Sequence, residues 1–516
     1  MSLASGCNQT IWKFIMIWFN TLARVMVMAL LSNLVAPCSL LILTSHAAAR
    51  WPQFRGPNGS GIAEHDNPPI EFGPTTNLLW KVPFPPGHSS PCIWNDRIFL
   101  TSFEGGKLET ICIRRSDGHL LWRRAAPAGA IESVHEFSSP AASTPASDGQ
   151  QVYAYFGSYG LLAYDFNGKE AWTLPLPKPA NNFGTASSPI LLGDLLLMLC
   201  DGSGGSSYLL AIDRTTGRAV WRKDRPLFTS NWSTPFVWRH DNLDEIVVPG
   251  SGRLVAYDPK DGTERWWVNG FPRVAILVPV SSPSLLFACV AGQGATADER
   301  FDLPDWATVI AKYDKNKDAK LSPDELPPEF AWHLRKEVSK ETPGNYFPMS
   351  SVIKWFDADK DGLCSEKEWL AAIAFVTENK STMMALRPGG KGDCTETHVV
   401  WKSQRGLPEL PSPILHQGHL ITVRDGGLVS CFEPETGRIL YQERLGVTGQ
   451  YCASLIAADG HIYAASVSGT IVTFTAGEVM EVLARNQLNE RIVATPAIAD
   501  DKLYVRTSNH LYGFGK

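Results

Sequence analysis

The sequence predicts an all-β fold: an eight-bladed β-propeller with a small α-helical module inserted in its fifth blade. Three observations carry this. A phrase built on Ser-Ser-Pro recurs eight times, a second phrase ending in Trp follows it in most copies, and the spacing of the copies is regular except at one step. Such self-similarity at a fixed period is the signature of a repeat architecture.

The first phrase reads His88-Ser89-Ser90-Pro91, Phe137-Ser138-Ser139-Pro140, Ala186-Ser187-Ser188-Pro189, Trp232-Ser233-Thr234-Pro235 and Val280-Ser281-Ser282-Pro283. It continues as Leu410-Pro411-Ser412-Pro413, Cys452-Ala453-Ser454-Leu455 and Val493-Ala494-Thr495-Pro496. Successive copies lie 41 to 49 residues apart, except for a step of 130 after the fifth. The excess of roughly 82 residues is the size of a small inserted module.

The second phrase runs from Ala163-Tyr164-Asp165 through Gly168 to Trp172, from Ala211-Ile212-Asp213 through Gly217 to Trp221, and from Ala256-Tyr257-Asp258 through Gly262 to Trp266. Looser copies run from Cys112 to Trp122 and from Cys431 to Tyr441. The Asp/Asn-Gly and Thr-Gly steps are tight-turn chemistry. With apolar runs such as Leu195–Met198 between the phrases, each unit reads as four short strands, the size of one blade. The closing aromatic packs between neighbouring blades, because no blade buries its own face alone. At the chain's end the last copy lacks a Trp-bearing strand, while Leu78-Leu79-Trp80-Lys81-Val82 has no blade before it. That strand is expected to complete the eighth blade and close the ring, which removes free sheet edges.

The Ala-x-Asp-x-x-x-Gly-x-x-x-Trp pattern resembles the tryptophan-docking repeat of the pyrroloquinoline-quinone (PQQ) dehydrogenase-like propellers, from about residue 75 to the C-terminus apart from the insertion. The resemblance implies a central funnel as the binding region, near the residues that precede each Ser-Ser-Pro phrase. Those are His88, Glu136, Phe137, Asn182, Trp232, Arg273, Glu409, Tyr451 and Arg491. A mixed polar and aromatic ring of this kind suits a small ligand or peptide. PQQ-dependent oxidation of an alcohol or sugar is the alternative that the resemblance brings, and it is not favoured. The alcohol dehydrogenases of that family carry a disulfide between adjacent cysteines, and this chain has no Cys-Cys pair.

Acidic residues and lysines become dense between 298 and 380, and the apolar spacing turns helical at Trp306, Val309, Ile310 and Tyr313. Two twelve-residue stretches there match the EF-hand spacing, with oxygen ligands at positions 1, 3 and 5, a carbonyl at 7 and a bidentate Glu at 12. The first offers Asp314, Asn316, Asp318, the Lys320 carbonyl and Glu325; the second Asp357, Asp359, Asp361, the Leu363 carbonyl and Glu368. Ca2+ takes six to eight hard oxygens, so a loop wrapped round one ion presents alternate side chains inward. Gly362 supplies the sharp turn at position 6, where the first loop has Ala319. The first site is therefore expected to be the weaker. Leu321 and Cys364, both at position 8, are expected to pair as a short β-bridge.

Residues 1–49 contain no Asp or Glu, are mostly apolar from Val25 to Leu43, and end in small residues before Arg50. They read as a cleaved export signal, with an uncleaved membrane anchor as the alternative. Residues 50–74 are an N-terminal extension, and 75–297 and 381–516 the two parts of the ring. Eight cysteines beyond the leader are scattered without a C-x-x-C and read as buried free thiols. The net charge of −5 lacks the basic footprint of a nucleic-acid binder. The expected protein is an exported, periplasmic or secreted monomer that binds Ca2+ and presents a propeller face to a protein, peptide or small molecule.

Overall fold

The computed structural model describes residues 49–516 apart from 128, 136–137, 182, 203–205, 230, 293–303, 334–340, 342–345 and 379, with backbone alone at 333 and 375–378. The leader through residue 48, Glu136, Phe137, Asn182 and the start of the insertion lie outside the described residues. No helix among the described residues is long and apolar enough to cross a membrane.

Eight sheets, each built on four antiparallel strands, follow one another along the chain. Blades 1 to 4 span 92–125, 146–175, 190–224 and 236–269. Blades 5 to 7 span 280–403, 414–444 and 456–487. Blade 8 combines 497–514 with Leu78–Pro83, which pairs antiparallel with His510–Phe514. The ring is therefore closed by the strand that the repeat pattern leaves over. First strands of successive blades touch one another, so they are the innermost.

Two repeated contacts seal the seams. In five of the eight blades the outer-strand indole donates to a carbonyl in the outer turn of the next blade: Trp80 to Arg115, Trp122 to Phe166, Trp172 to Arg214 and Trp221 to Pro259, each at 2.9–3.0 Å, and Trp401 to Pro434 at 2.7 Å. The turn's glycine allows the approach. At Gly168, φ is +77° and a Cβ would lie 2.7 Å from the Trp122 ring, so only glycine fits.

The second contact explains the Ser-Ser-Pro phrase. Its second hydroxyl accepts the backbone N–H of the equivalent residue one blade earlier. Ser90 donates to Thr144, Thr144 to Ser188 and Ser188 to Thr234; Val278 donates to Ser412, Ser412 to Ser454 and Ser454 to Thr495, all at 2.9–3.0 Å. This corrects two repeats. In the second, the working phrase is Ser143-Thr144-Pro145, not Ser138-Ser139-Pro140. In the fifth, Val278-Pro279 holds the place, and Ser281-Ser282-Pro283 begins the following hairpin turn, where Ser282 accepts from Leu285. The Gly-rich stretch 388–392 lies in the outer turn of blade 5, between Thr382–Leu386 and Val399–Ser403, with Gly390 against Trp266.

The extension after residue 49 is a strap. Arg50–Trp51 pairs with Ile93–Trp94 of blade 1, Asn58 donates to the Val237 carbonyl of blade 4, and Ile62–Ala63 runs parallel to Ala457–Ala458 of blade 7. A segment that touches the innermost strands of blades 1, 4 and 7 must cross the ring's axis. Arg55 is wholly buried within it and donates to the carbonyls of Ser60 and Pro413 at 3.0 and 2.7 Å.

The insertion leaves blade 5 after Leu286–Val290 and returns at Thr382–Leu386. It holds helices α1 (Trp306–Tyr313), α2 (Met349–Phe356) and α3 (Glu366–Glu378). Asp305 caps α1 by accepting from the Thr308 N–H at 2.8 Å. The helices bury Val309, Trp332, Val352, Ile353 and Trp369 in a core of their own. The first acidic stretch leaves through a single 3-10 turn, Pro323–Glu325, because Pro327 and Pro328 cannot continue a helix.

Candidate functional site

The connections that lead into the first strands of blades 2 to 7 gather at one mouth of the ring and form a funnel of about 360 Å3. One wall is aromatic. Phe183 lies 5.0 Å from the His135 ring and meets Trp232 edge-on at 5.5 Å. Val274, Ile276 and Leu410 add apolar surface. Trp232 is held at both ends: its backbone N–H donates to Ala275 and its Nε1 to Gly184, each at 2.8 Å.

A buried ion pair supports that wall. Asp201 and Arg225 have fully covered side chains, and the guanidinium donates twice to the carboxylate at 3.0 Å. Asn231, next to Trp232, donates to Asp201 at 3.1 Å and accepts the Ser233 N–H at 2.8 Å. Next to Gly184, Thr185 donates its N–H and hydroxyl to Glu132 at 3.0 and 2.9 Å. Burial pushes the Glu132 carboxyl up, against those hydrogen bonds.

Below the funnel runs a channel of about 160 Å3. Trp232, Ile276, Leu410 and Cys452 line both spaces. The channel wall carries the seam hydroxyls Thr144, Ser188, Ser412, Ser454 and Thr495, and Phe54 of the strap meets it from below. His88 also lines it; burial first, then the charges of Arg506 and Arg491, lower its pKa to about 4. Burial holds the Cys452 thiol up at about 12, with Asp425 adding to the rise and Arg491 opposing it.

Of the funnel residues expected from sequence, His88, Trp232 and Glu409 line the funnel or channel. Arg273 and Arg491 are exposed. Tyr451 is turned into the core between blades 6 and 7, where its hydroxyl donates to Val447; its neighbours Gln450 and Cys452 line the funnel instead. Sequence reasoning missed Phe54, Phe183 and the seam hydroxyls as lining residues. Only the hydroxyls had a signal, since they are the repeated phrase itself.

In the insertion, the carboxylate oxygens of Asp357, Asp359 and Asp361 lie within 4.8 Å of one another. Asp357 receives the Asp361 and Gly362 N–H groups at 3.1 and 2.9 Å. Glu368 receives Ala358 and Ser365 N–H groups at 2.8 Å each, and these bonds, those from Ser365 first, lower its pKa. The preceding stretch repeats the arrangement, with Asp314 receiving Lys317 and Ala319 and with Glu325 receiving Lys315 and Ser322. Asn316 and Asp318 bond each other at 2.9 Å. Leu321 and Cys364 bridge the two stretches at 3.0 and 2.8 Å. Lys320 Nζ reaches Asp361 at 2.6 Å. Position 6 is left-handed in both, with φ +83° at Gly362 and +61° at Ala319.

This second donor set fits a hard divalent cation: several carboxylates converge and a turn frees the backbone to wrap. Among the described residues that line the funnel, Glu409 is the one carboxylate.

The sequence model of a family described as outer membrane protein assembly factor BamB matches residues 70–225, 202–274 and 393–514. The matched segments leave out the insertion. No curated protein matches the chain. Among solved structures, the computationally designed Ika8 protein is 10% identical with a TM-score of 0.51, over 85% of this chain and 99% of that one. BamB from Moraxella catarrhalis is 11% identical with a TM-score of 0.47, over 84% and 98%. A europium-containing methanol dehydrogenase is 11% identical with a TM-score of 0.48, over 91% and 98%. At these identities the likeness is one of fold.

Proposed function

Because the chain belongs to the family described as outer membrane protein assembly factor BamB, we propose that it is an exported, Ca2+-binding propeller that acts as a binding module rather than by catalysis. The observation that carries this reading is the funnel: a concave, largely apolar mouth with an aromatic wall held from behind by the Asp201–Arg225 pair. A rigid apolar concavity with few polar groups is what recognition of a ligand or of a partner's side chains requires. Phe183 and Leu410 stand exposed at this mouth.

Asp357, Asp359, Asp361, the Leu363 carbonyl and Glu368 would hold Ca2+ in the second stretch. Asp314, Asn316, Asp318, the Lys320 carbonyl and Glu325 would hold it more weakly in the first, where Ala319 sits in a left-handed turn. A cation bound there ties α2 to α3 and stabilises the insertion. An exported protein meets abundant Ca2+, which suits a constitutively filled site.

Two measurements test the reading. Proteins retained by the immobilised protein are compared with those retained by a Phe183→Glu, Leu410→Glu variant; equal recovery of every specific partner would remove the funnel as the binding face. Calorimetric titration of the full chain with Ca2+ is expected to give saturable heat that Glu368→Gln reduces. No heat at millimolar Ca2+ ends the metal claim.

A further inference from the structure

We infer that the axial channel is a carboxylate site, and that the funnel's ligand is an apolar acid with its body against the aromatic wall and its carboxylate on the axis. This deepens, and rests on, the reading of the funnel as a binding face. Thr144, Ser188, Ser412, Ser454 and Thr495 line the channel. Each of these buried hydroxyls accepts a backbone N–H from the blade before it. Their own O–H groups have no acceptor among the described residues, so donors from five blades converge on one narrow space. An O–H···carboxylate bond is short and charge-assisted, about twice as strong as a neutral one.

The surrounding charge has the same sign preference. Arg55 follows Phe54 at the channel floor, and Arg506 stands close enough to His88 to lower its pKa. Both guanidiniums are wholly buried, and neither pairs with a described carboxylate. Arg55 bonds carbonyls, and Arg506 bonds the carbonyls of Pro85, Ser89 and Thr101 and the Ser89 hydroxyl. Nε and Nη1 of Arg55 and Nε of Arg506 have no acceptor. Among the described residues that line the channel, none is an Asp or Glu. Two buried positive charges disfavour a cation on the axis and favour an anion.

The shape sets the class of ligand. Funnel and channel are continuous through Trp232, Ile276, Leu410 and Cys452. About 160 Å3 accepts a carboxylate and its first carbons, and about 360 Å3 above it accepts an aromatic or branched apolar group. Such an acid is either a free small molecule or the C-terminus of a peptide that ends in an apolar residue.

Titration of the full chain, followed by calorimetry, compares 3-phenylpropionate with its methyl ester, and an N-acetylated tripeptide ending in phenylalanine with its C-terminal amide. In at least one pair the acid is expected to bind about tenfold or more tighter than its neutral partner, and the pair that shows it identifies the source. Equal affinity of acid and neutral form in both pairs overturns the carboxylate site and leaves the funnel reading standing. Binding of no member overturns the inference, while partner recovery tests the funnel separately. Ser188→Ala with Ser454→Ala is expected to bring the acid to its ester's affinity, whereas Trp232→Ala weakens acid and ester alike. Should the serine variant fail to fold, the acid-to-ester ratio of the unaltered chain decides alone.

Discussion

The ring and the module inserted in its fifth blade are held by different means. Blade joins blade through one pair of contacts used again and again, an indole on a turn and a hydroxyl on an N–H. The insertion relies on a small apolar core and on two stretches whose carboxylates fold inward onto backbone N–H groups. The ring's seams are redundant, with ion pairs such as Arg115–Asp500 and Arg214–Asp148 beside the repeated contacts, but its closure is unique. The insertion's carboxylates crowd one another, a repulsion that a bound cation would relieve. Loss of closure should therefore disturb the whole ring, and loss of charge balance only the module.

The largest effect is expected from removing residues 75–85. This takes the closing strand from blade 8, together with the Trp80 indole that caps the blade 1 turn at Arg115. The melting temperature should fall by about 10 °C or more, from lost burial and a newly exposed edge. An unchanged melting curve would mean that closure contributes nothing.

Next comes Asp201→Ala. It leaves the fully covered Arg225 guanidinium without its carboxylate, which costs about 3–5 kcal/mol. Denaturant titration measures it. The contrasting substitution, Asp361→Ala in the insertion, breaks a half-exposed pair with Lys320 and should leave the ring's transition where it was. A shift of the ring transition with Asp361→Ala would join the two regions into one cooperative unit.

A smaller effect, dependent on pH, is expected at Glu490 in blade 8's neighbourhood. Partial burial raises its pKa, but bonds from Thr507, His510 and Tyr512 outweigh this and hold it at about 2. The folded value lies below the unfolded one of about 4.5, so its stabilisation is complete above about pH 5 and is lost as pH falls toward 2. Glu490→Gln should melt lower than the unaltered chain at pH 7 and equally near pH 2. A constant difference across that range would assign its role to packing alone.

What the sequence made legible follows the same division between repeated and single contacts. Trp122, Trp172 and Trp221 could be placed because each comes with its Asp and Gly at fixed spacing. The surplus strand at Leu78–Pro83 could be placed because one blade lacked it. Two phrases were misassigned because Ser138-Ser139-Pro140 and Ser281-Ser282-Pro283 mimic the working residues a few positions away, and because Val278 fills a hydroxyl's place in blade 5. The strap was illegible: Trp51, Phe54 and Arg55 occur once, with no period, and their meaning comes from crossing the axis. Tyr451 was misjudged for a related reason. Whether a loop residue faces the funnel or the core depends on local backbone direction, which residue type does not set. In the insertion the close spacing of Asp357, Asp359 and Asp361 places their carboxylates near one another, since a twelve-residue loop carries its geometry in its own sequence.

The smallest expected effect sharpens the comparison most, because it is confined to the module by construction. Ala319 and Gly362 occupy the same place in the two acidic stretches, both left-handed, and a Cβ at Gly362 meets nothing within 4 Å. The difference between them is then backbone strain rather than packing. Ala319→Gly should relieve about 1 kcal/mol, and Gly362→Ala should introduce about as much. Each should move the insertion's transition and its Ca2+ affinity in opposite directions, while near-ultraviolet signals from the ring's indoles stay unchanged. If Ala319→Gly leaves Ca2+ binding unaltered, the first stretch holds its turn for structure, and the ion belongs to the second alone.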